Sequence, residues 1–70
     1  MAIEKVTLPV ARKIANLTQK SLGNAVGVSE STVINWEKGR SEPTVSQAHK
    51  ISEVTGIPLD GIIFLPPSTV

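Results

Sequence analysis

Glu30, Ser31, Ile34, Asn35 and Lys38 are spaced so that one side of a helix would carry all five. At about 100° per residue they fall within an arc of roughly 140°. Their groups are of the kinds that meet base edges. An asparagine amide pairs bidentately with adenine, a carboxylate accepts from cytosine N4, an aliphatic chain touches the thymine methyl, and a serine hydroxyl suits several bases. The chemistry on offer is recognition. An ordinary solvated helix face uses the same residue types, so the arc decides nothing until its surroundings are read.

Val33, Trp36 and Glu37 lie on the opposite side of that helix, with Thr32 near its edge, and this side packs inward. Trp36 could stack on a base, but its inward place makes it core. Ser29 caps the helix, which runs to about Lys38 and stops at Gly39. Glu30, in the first turn, is favoured by the helix dipole whether or not it accepts from a cytosine, and both roles stay open. Upstream, Thr18 caps a helix from Gln19 to about Val26 that buries Leu22, Ala25 and Val26. Gly27 then turns the chain and Val28 plugs the corner. Gly23, in mid-helix, costs roughly 1 kcal/mol of propensity relative to alanine, which makes sense if another helix crosses closely there.

Residues 1–7 show no helical period and are read as an extended arm, in which Ile3 and Val6 could form an edge strand. Thr7 caps a short first helix with Pro9 in its first turn, where the missing amide hydrogen costs little. Leu8, Ala11 and Ala15 recur there with Ile14 beside them, and Asn16 closes the helix in the left-handed conformation. After Pro43, Thr44 and Gln47 fit a capping box. The fourth helix presents Val45, Ala48, Ile51 and Val54 on one face and ends at Gly56. Ile57-Pro58-Leu59-Asp60 leads into a short fifth helix through Ile62 and Ile63. Pro66 and Pro67 end regular structure, leaving 66–70 as a flexible tail. The expected fold is all-α, a compact bundle of five short helices forming one domain over residues 1–70.

With 70 residues and no cysteine, neither disulfides nor a thiolate zinc site can add stability, so helix packing must supply it. The net charge of +1 and a pI near 8.2 fall short of the ~9 of a strongly basic binder. The distribution says more. Arg12, Lys13, Lys20, Lys38 and Arg40 face only Glu30 and Glu37 within 12–40, whereas Lys50 faces Glu42, Glu53 and Asp60 afterwards. A small module with few phosphate contacts would look like this. No apolar run approaches the ~20 residues of a membrane span and no signal peptide is visible, which points to the cytoplasm. His49, the only histidine, lies off the apolar face of its helix with no cluster of ligands, so no metal is expected. No cofactor or small-molecule ligand is expected either. Catalysis finds no nucleophile with a partner base, no paired carboxylates and no glycine-rich phosphate loop.

Arg12, Leu17-Thr18-Gln19, Leu22, Gly23, Val26-Gly27-Val28-Ser29, Thr32-Val33, Trp36-Glu37, Gly39, Pro43 and Gly56-Ile57-Pro58-Leu59-Asp60 occur in register with one pattern. With them the chain resembles the Cro/cI-type (XRE) helix-turn-helix family of bacterial and phage repressors, over about residues 8 to 65 and most strongly from 12 to 43. The resemblance implies a lambda-repressor-like DNA-binding domain. It implies that Ser29, Glu30, Ser31 and Asn35 read bases, joined by Ile34 of the same arc. It implies that Thr18, Gln19, Lys38, Arg40 and Thr44 lie along the phosphate backbone, Gln19 also buttressing the third helix. It further suggests a largely buried salt bridge between Arg12 and Glu37, in keeping with the cost of an unpaired carboxylate on the inward arc.

Some residues depart from the pattern. Ser21 stands where an acidic residue is common, Pro9 shortens the first helix, and Pro58 replaces a capping residue. The ending through Ile62-Ile63-Phe64-Leu65 is unusually apolar. Together with Leu59, these residues exceed what so small a core needs, so part of them could form a dimer interface where Ile3 and Val6 also pair; the plainer alternative is a core that wraps its own ends. The function expected is that of a sequence-specific transcription regulator, a repressor of phage or mobile-element type bound to double-stranded operator DNA as a homodimer in a bacterial cytoplasm. The rival expectation is an antitoxin or coactivator, using the same fold as a protein-binding surface.

Overall fold

A computed structural model describes residues 5–64. A short strand β1 (Val6–Thr7) runs directly into helix α1 (Leu8–Ile14), followed by α2 (Gln19–Val26), α3 (Glu30–Glu37) and α4 (Val45–Thr55). A single 3-10 turn (Leu59–Gly61) then leads to strand β2 (Ile62–Ile63). The expected fifth helix is therefore one turn. β-branched Ile62 and Ile63 favour the extended chain that follows, and the two strands pair in parallel, Val6 with Ile62 and Thr7 with Ile63. The domain is mostly helical, with four α-helices instead of five and its two ends joined by this small sheet. The parts of the expected arm and tail at 1–4 and 65–70, with Ile3 and Leu65, lie outside the described residues.

Local chemistry accounts for most helix ends. Thr18, Ser29 and Thr44 each accept from the backbone N–H three residues on. Thr18 and Thr44 do so within full capping boxes, the second donors being taken by Ser21 and Gln47. Ser21 is thus a capping partner. Thr7 makes no side-chain cap, and Pro9 in the first turn leaves one fewer donor to satisfy. Asn16 closes the first helix with φ 60°, as its side chain permits.

Leu8, Ala11, Leu22, Val33, Trp36, Ile51 and Ile62 form the buried core, with Val6, Leu17, Val26, Val28, Val54, Ile57 and Phe64 packed against it. Ile62 is inside and Val6 and Phe64 lean on the same core, whereas Ile63 is 40% exposed. Three expected core positions are exposed. Ile14 is 60% and Val45 75% exposed, and Ala25 is also on the surface. In α4 the cause is geometric: each i, i+3 step rotates by about −60°, so Val45, Ala48, Ile51 and Val54 spread around half the helix.

Gly27 takes φ 92° at the end of α2, and a Cβ there would meet nothing within 4 Å. The cost of a side chain is therefore backbone strain alone. Gly27→Ala should lower stability by about 1–2 kcal/mol, and Gly27→Asn by less, because asparagine visits the left-handed region more readily. Urea midpoints of the two variants test the order.

Candidate nucleic-acid interface

The α2–turn–α3 unit places one helix side in the core and leaves the other open. Val33 and Trp36 are 0% and 4% exposed, and the Glu37 side chain is 8% exposed. On the opposite arc Glu30, Ser31 and Lys38 are exposed, while Ile34 and Asn35 are half-buried. The Ser31 and Asn35 side chains make no hydrogen bond among the described residues. Ser29 is exposed, but its hydroxyl already accepts from the Thr32 N–H at 3.1 Å and lies 3.0 Å from the Thr32 hydroxyl.

Behind this helix, Arg12, Gln19 and Glu37 converge. Arg12 Nε donates to Glu37 Oε2 at 2.7 Å and Nη2 to Oε1 at 3.4 Å, a fork on the carboxylate. Arg12 Nη1 donates to the Leu17 carbonyl at 2.9 Å, tying the chain between α1 and α2 into the same group. Gln19 Nε2 donates to Glu37 Oε1 at 3.0 Å. One carboxylate thus joins α1, α2 and α3. The Gln19–Glu37 and Arg12–Leu17 bonds are additions to what sequence spacing suggested; for Gln19 the advance signal was the family resemblance, which implies that it buttresses the third helix.

Of the remaining candidates for phosphate contact, Thr18, Lys38, Arg40 and Thr44 are all exposed. Thr18 and Thr44 open α2 and α4, and Lys38 and Arg40 flank the buried Gly39, whose φ is 75°. They are not bonded to one another or to the Arg12–Gln19–Glu37 group among the described residues. Gly23 also proves to be part of this unit. A Cβ on it would lie 2.8 Å from the Val28 carbonyl oxygen and 3.2 Å from that of Ser29, so what passes closely is the turn's own backbone, not another helix. Among the described residues there is no cavity, and no helix is long and apolar enough to cross a membrane.

A family model described as helix-turn-helix matches residues 10–62, from within α1 through the final turn. The chain belongs to the Cro/cI-type helix-turn-helix family. Members of this family are DNA-binding transcriptional regulators, and not enzymes. The chain is 38% identical over 58 residues to an uncharacterized HTH-type transcriptional regulator of Methanocaldococcus jannaschii, covering 83% of this chain and 88% of that one. It is 44% identical over 45 residues to one of Methanothermobacter thermautotrophicus (64% and 65% covered). A third, from Archaeoglobus fulgidus, is 36% identical over 47 residues (67% and 66%). These relatives are archaeal, whereas the repressor resemblance alone suggests a bacterial or phage setting. No solved structure matches the chain.

Proposed function

We propose that this helix-turn-helix regulator acts as a repressor, binding a near-palindromic operator as a homodimer in the cytoplasm. The α3 helices of the two protomers enter successive major grooves about 34 Å apart, and the bound dimer blocks promoter access. The observation that carries the reading is the division of α3. Val33, Trp36 and Glu37 hold it to the body, while Glu30, Ser31, Ile34 and Asn35 remain open to a duplex. In this reading Ser29, Glu30, Ser31, Ile34 and Asn35 face bases, and Thr18, Gln19, Lys38, Arg40 and Thr44 follow the phosphates. Ser29 is the weakest of the first set, because its hydroxyl already serves the cap. The alternative of an antitoxin or coactivator draws on the apolar C-terminal end, of which Ile62 is buried and Phe64 packs on the core while Ile63 is 40% exposed.

Selection of duplexes from a random pool should return paired half-sites about one helical turn apart. Asn35→Ala should relax preference at one base pair by about 1–3 kcal/mol, the worth of a bidentate contact. Changing Ser31 and Asn35 together should reduce discrimination further while binding to mixed-sequence DNA persists. An unchanged set of selected sites in the double variant would refute base reading by α3.

A further inference from the structure

The chain between α3 and α4 carries a hydroxyl that nothing in the domain engages. Most serines and threonines among the described residues are tied into hydrogen bonds: Thr18, Ser29 and Thr44 in helix caps, Ser52 and Thr55 on backbone carbonyls. Thr7, Ser31, Ser41 and Ser46 are not, and of these Thr7 lies in β1, Ser31 in α3 and Ser46 in α4. Ser41 alone stands on irregular chain, exposed, with neither its side chain nor its backbone in a hydrogen bond among the described residues. Glu42 and Pro43 after it join none either. Before it, Lys38 and Arg40 are also exposed, and the Arg40 N–H, donating to the Asn35 carbonyl at 2.9 Å, holds that stretch at the end of α3.

An enzyme that phosphorylates a hydroxyl must draw it into a cleft, in line with the γ-phosphate of ATP. At Ser31 or Ser46 this requires unwinding a helix, and at Thr7 parting the small sheet. At Ser41 no hydrogen bond has to break, so local opening costs least there. We infer that Ser41 is a phosphorylation site, used by an ATP-dependent protein kinase that selects the exposed cations Lys38 and Arg40 before the acceptor, and that its modification releases the domain from DNA. Kinases choose substrates by such charge patterns. The transfer forms a bond from Ser41 Oγ to the γ-phosphorus, breaks that phosphorus's bond to the bridging oxygen, which leaves with ADP, and gives the hydroxyl proton to the kinase's base. The product carries about −1.5 to −2 charges at pH 7. Lys38, Arg40 and Glu42 together give this stretch +1 before modification; afterwards it is anionic. The release rests on the reading that Lys38 and Arg40 follow the DNA phosphates. The new group either pairs with those cations or repels the duplex, and both weaken binding. With about two phosphate contacts cancelled, the salt slope should flatten by about 1.8, and affinity near about 0.1 M salt should fall roughly fiftyfold.

The test has two arms. Protein isolated from its own cells at several stages of growth is digested and its peptides are analysed by mass spectrometry; the peptide containing Ser41 should carry one phosphate in a fraction of the molecules. Protein prepared with phosphoserine at position 41 is then titrated with the selected duplex over a series of salt concentrations, beside the unmodified protein and Ser41→Ala. Ser41→Ala should bind as the unmodified protein does, whereas the phosphorylated protein should show the flattened slope and the loss of affinity. Absence of phosphate from Ser41 at every stage, or phosphorylated protein that binds with unchanged affinity and slope, overturns this inference and leaves the proposed function standing. If the unmodified protein binds no duplex, the proposed function fails, and release by phosphorylation fails with it.

Discussion

Arg12→Ala and Glu37→Ala should each remove roughly 3–5 kcal/mol of stability, enough to leave much of so small a domain unfolded at room temperature. The size follows from what remains behind. With Arg12 gone, a carboxylate 8% exposed keeps only the Gln19 amide as a donor. With Glu37 gone, a guanidinium 12% exposed keeps only the Leu17 carbonyl. Each single change strands a desolvated charge, and the penalty is that desolvation more than the lost attraction. Arg12→Met/Glu37→Leu removes both charges together and should therefore be much milder than the sum. It should not be neutral, because the Leu17 carbonyl loses its donor, at a cost of about 1 kcal/mol. Urea denaturation of the three variants checks the order. If the double variant were as unstable as the two singles added together, the Arg12–Glu37 pair would not be acting as a unit.

The parts of this fold that could be read in advance are those governed by near neighbours. Thr18, Ser29 and Thr44 announce helix starts because a short hydroxyl satisfies a backbone donor three residues away, whatever the rest of the chain does. Asn16 and Gly27 announce ends because few residues accept positive φ. The two sides of α3 separate for a similar reason, helical period setting Val33 and Trp36 opposite Ser31, Ile34 and Asn35, although Glu37 falls only about 20° from Glu30 and is drawn inward by Arg12. What sequence spacing does not disclose is long-range. The pairing of Val6 with Ile62 joins residues 56 positions apart, and although β-branched Ile62 and Ile63 lean toward extended chain, nothing local to them names the partner strand. Ala25 and Val45 are small or apolar enough for a core, yet they point about 110° away from the residues that form it. The Gln19–Glu37 bond depends on how α2 crosses α3, which no spacing within either helix encodes. For the interface, residue types and the Arg12–Glu37 bridge were legible, the bridge through the family resemblance, while the Gln19–Glu37 and Arg12–Leu17 bonds that complete the group were not.

Gly23 brings two effects of opposite sign into direct competition, and the close approach should win. As a mid-helix glycine it invites replacement: alanine would contribute roughly 1 kcal/mol of helix propensity. Against that, the new Cβ would lie 2.8 Å from the Val28 carbonyl oxygen, with the Ser29 carbonyl oxygen and carbon at 3.2 and 3.3 Å. All three atoms are backbone, so no flexible side chain can swing clear, and relief requires moving the turn or unwinding the end of α2. The Gly27 and Val28 N–H groups both donate to the Gly23 carbonyl, at 2.7 and 2.8 Å, which resists that movement. Forced overpacking costs typically 1–3 kcal/mol, so Gly23→Ala should be destabilising on balance, by about 1–2 kcal/mol, where propensity alone predicts a gain. The larger consequence concerns binding. Val28 and Ser29 are the joint between α2 and α3, and Ser29 caps the helix whose first residues face the bases in the proposed reading. A shift of a few tenths of an ångström at the joint rotates α3 about its own start and displaces Asn35, more than a turn further on. Gly23→Ala should therefore lose affinity for its selected duplex by at least tenfold when measured at a temperature where the protein remains folded, and Gly23→Val by more. Equilibrium unfolding alongside duplex titration separates the two effects. A more stable Gly23→Ala protein with undiminished binding would mean that the turn gives way at little cost, and that the aim of α3 is not set by this close contact.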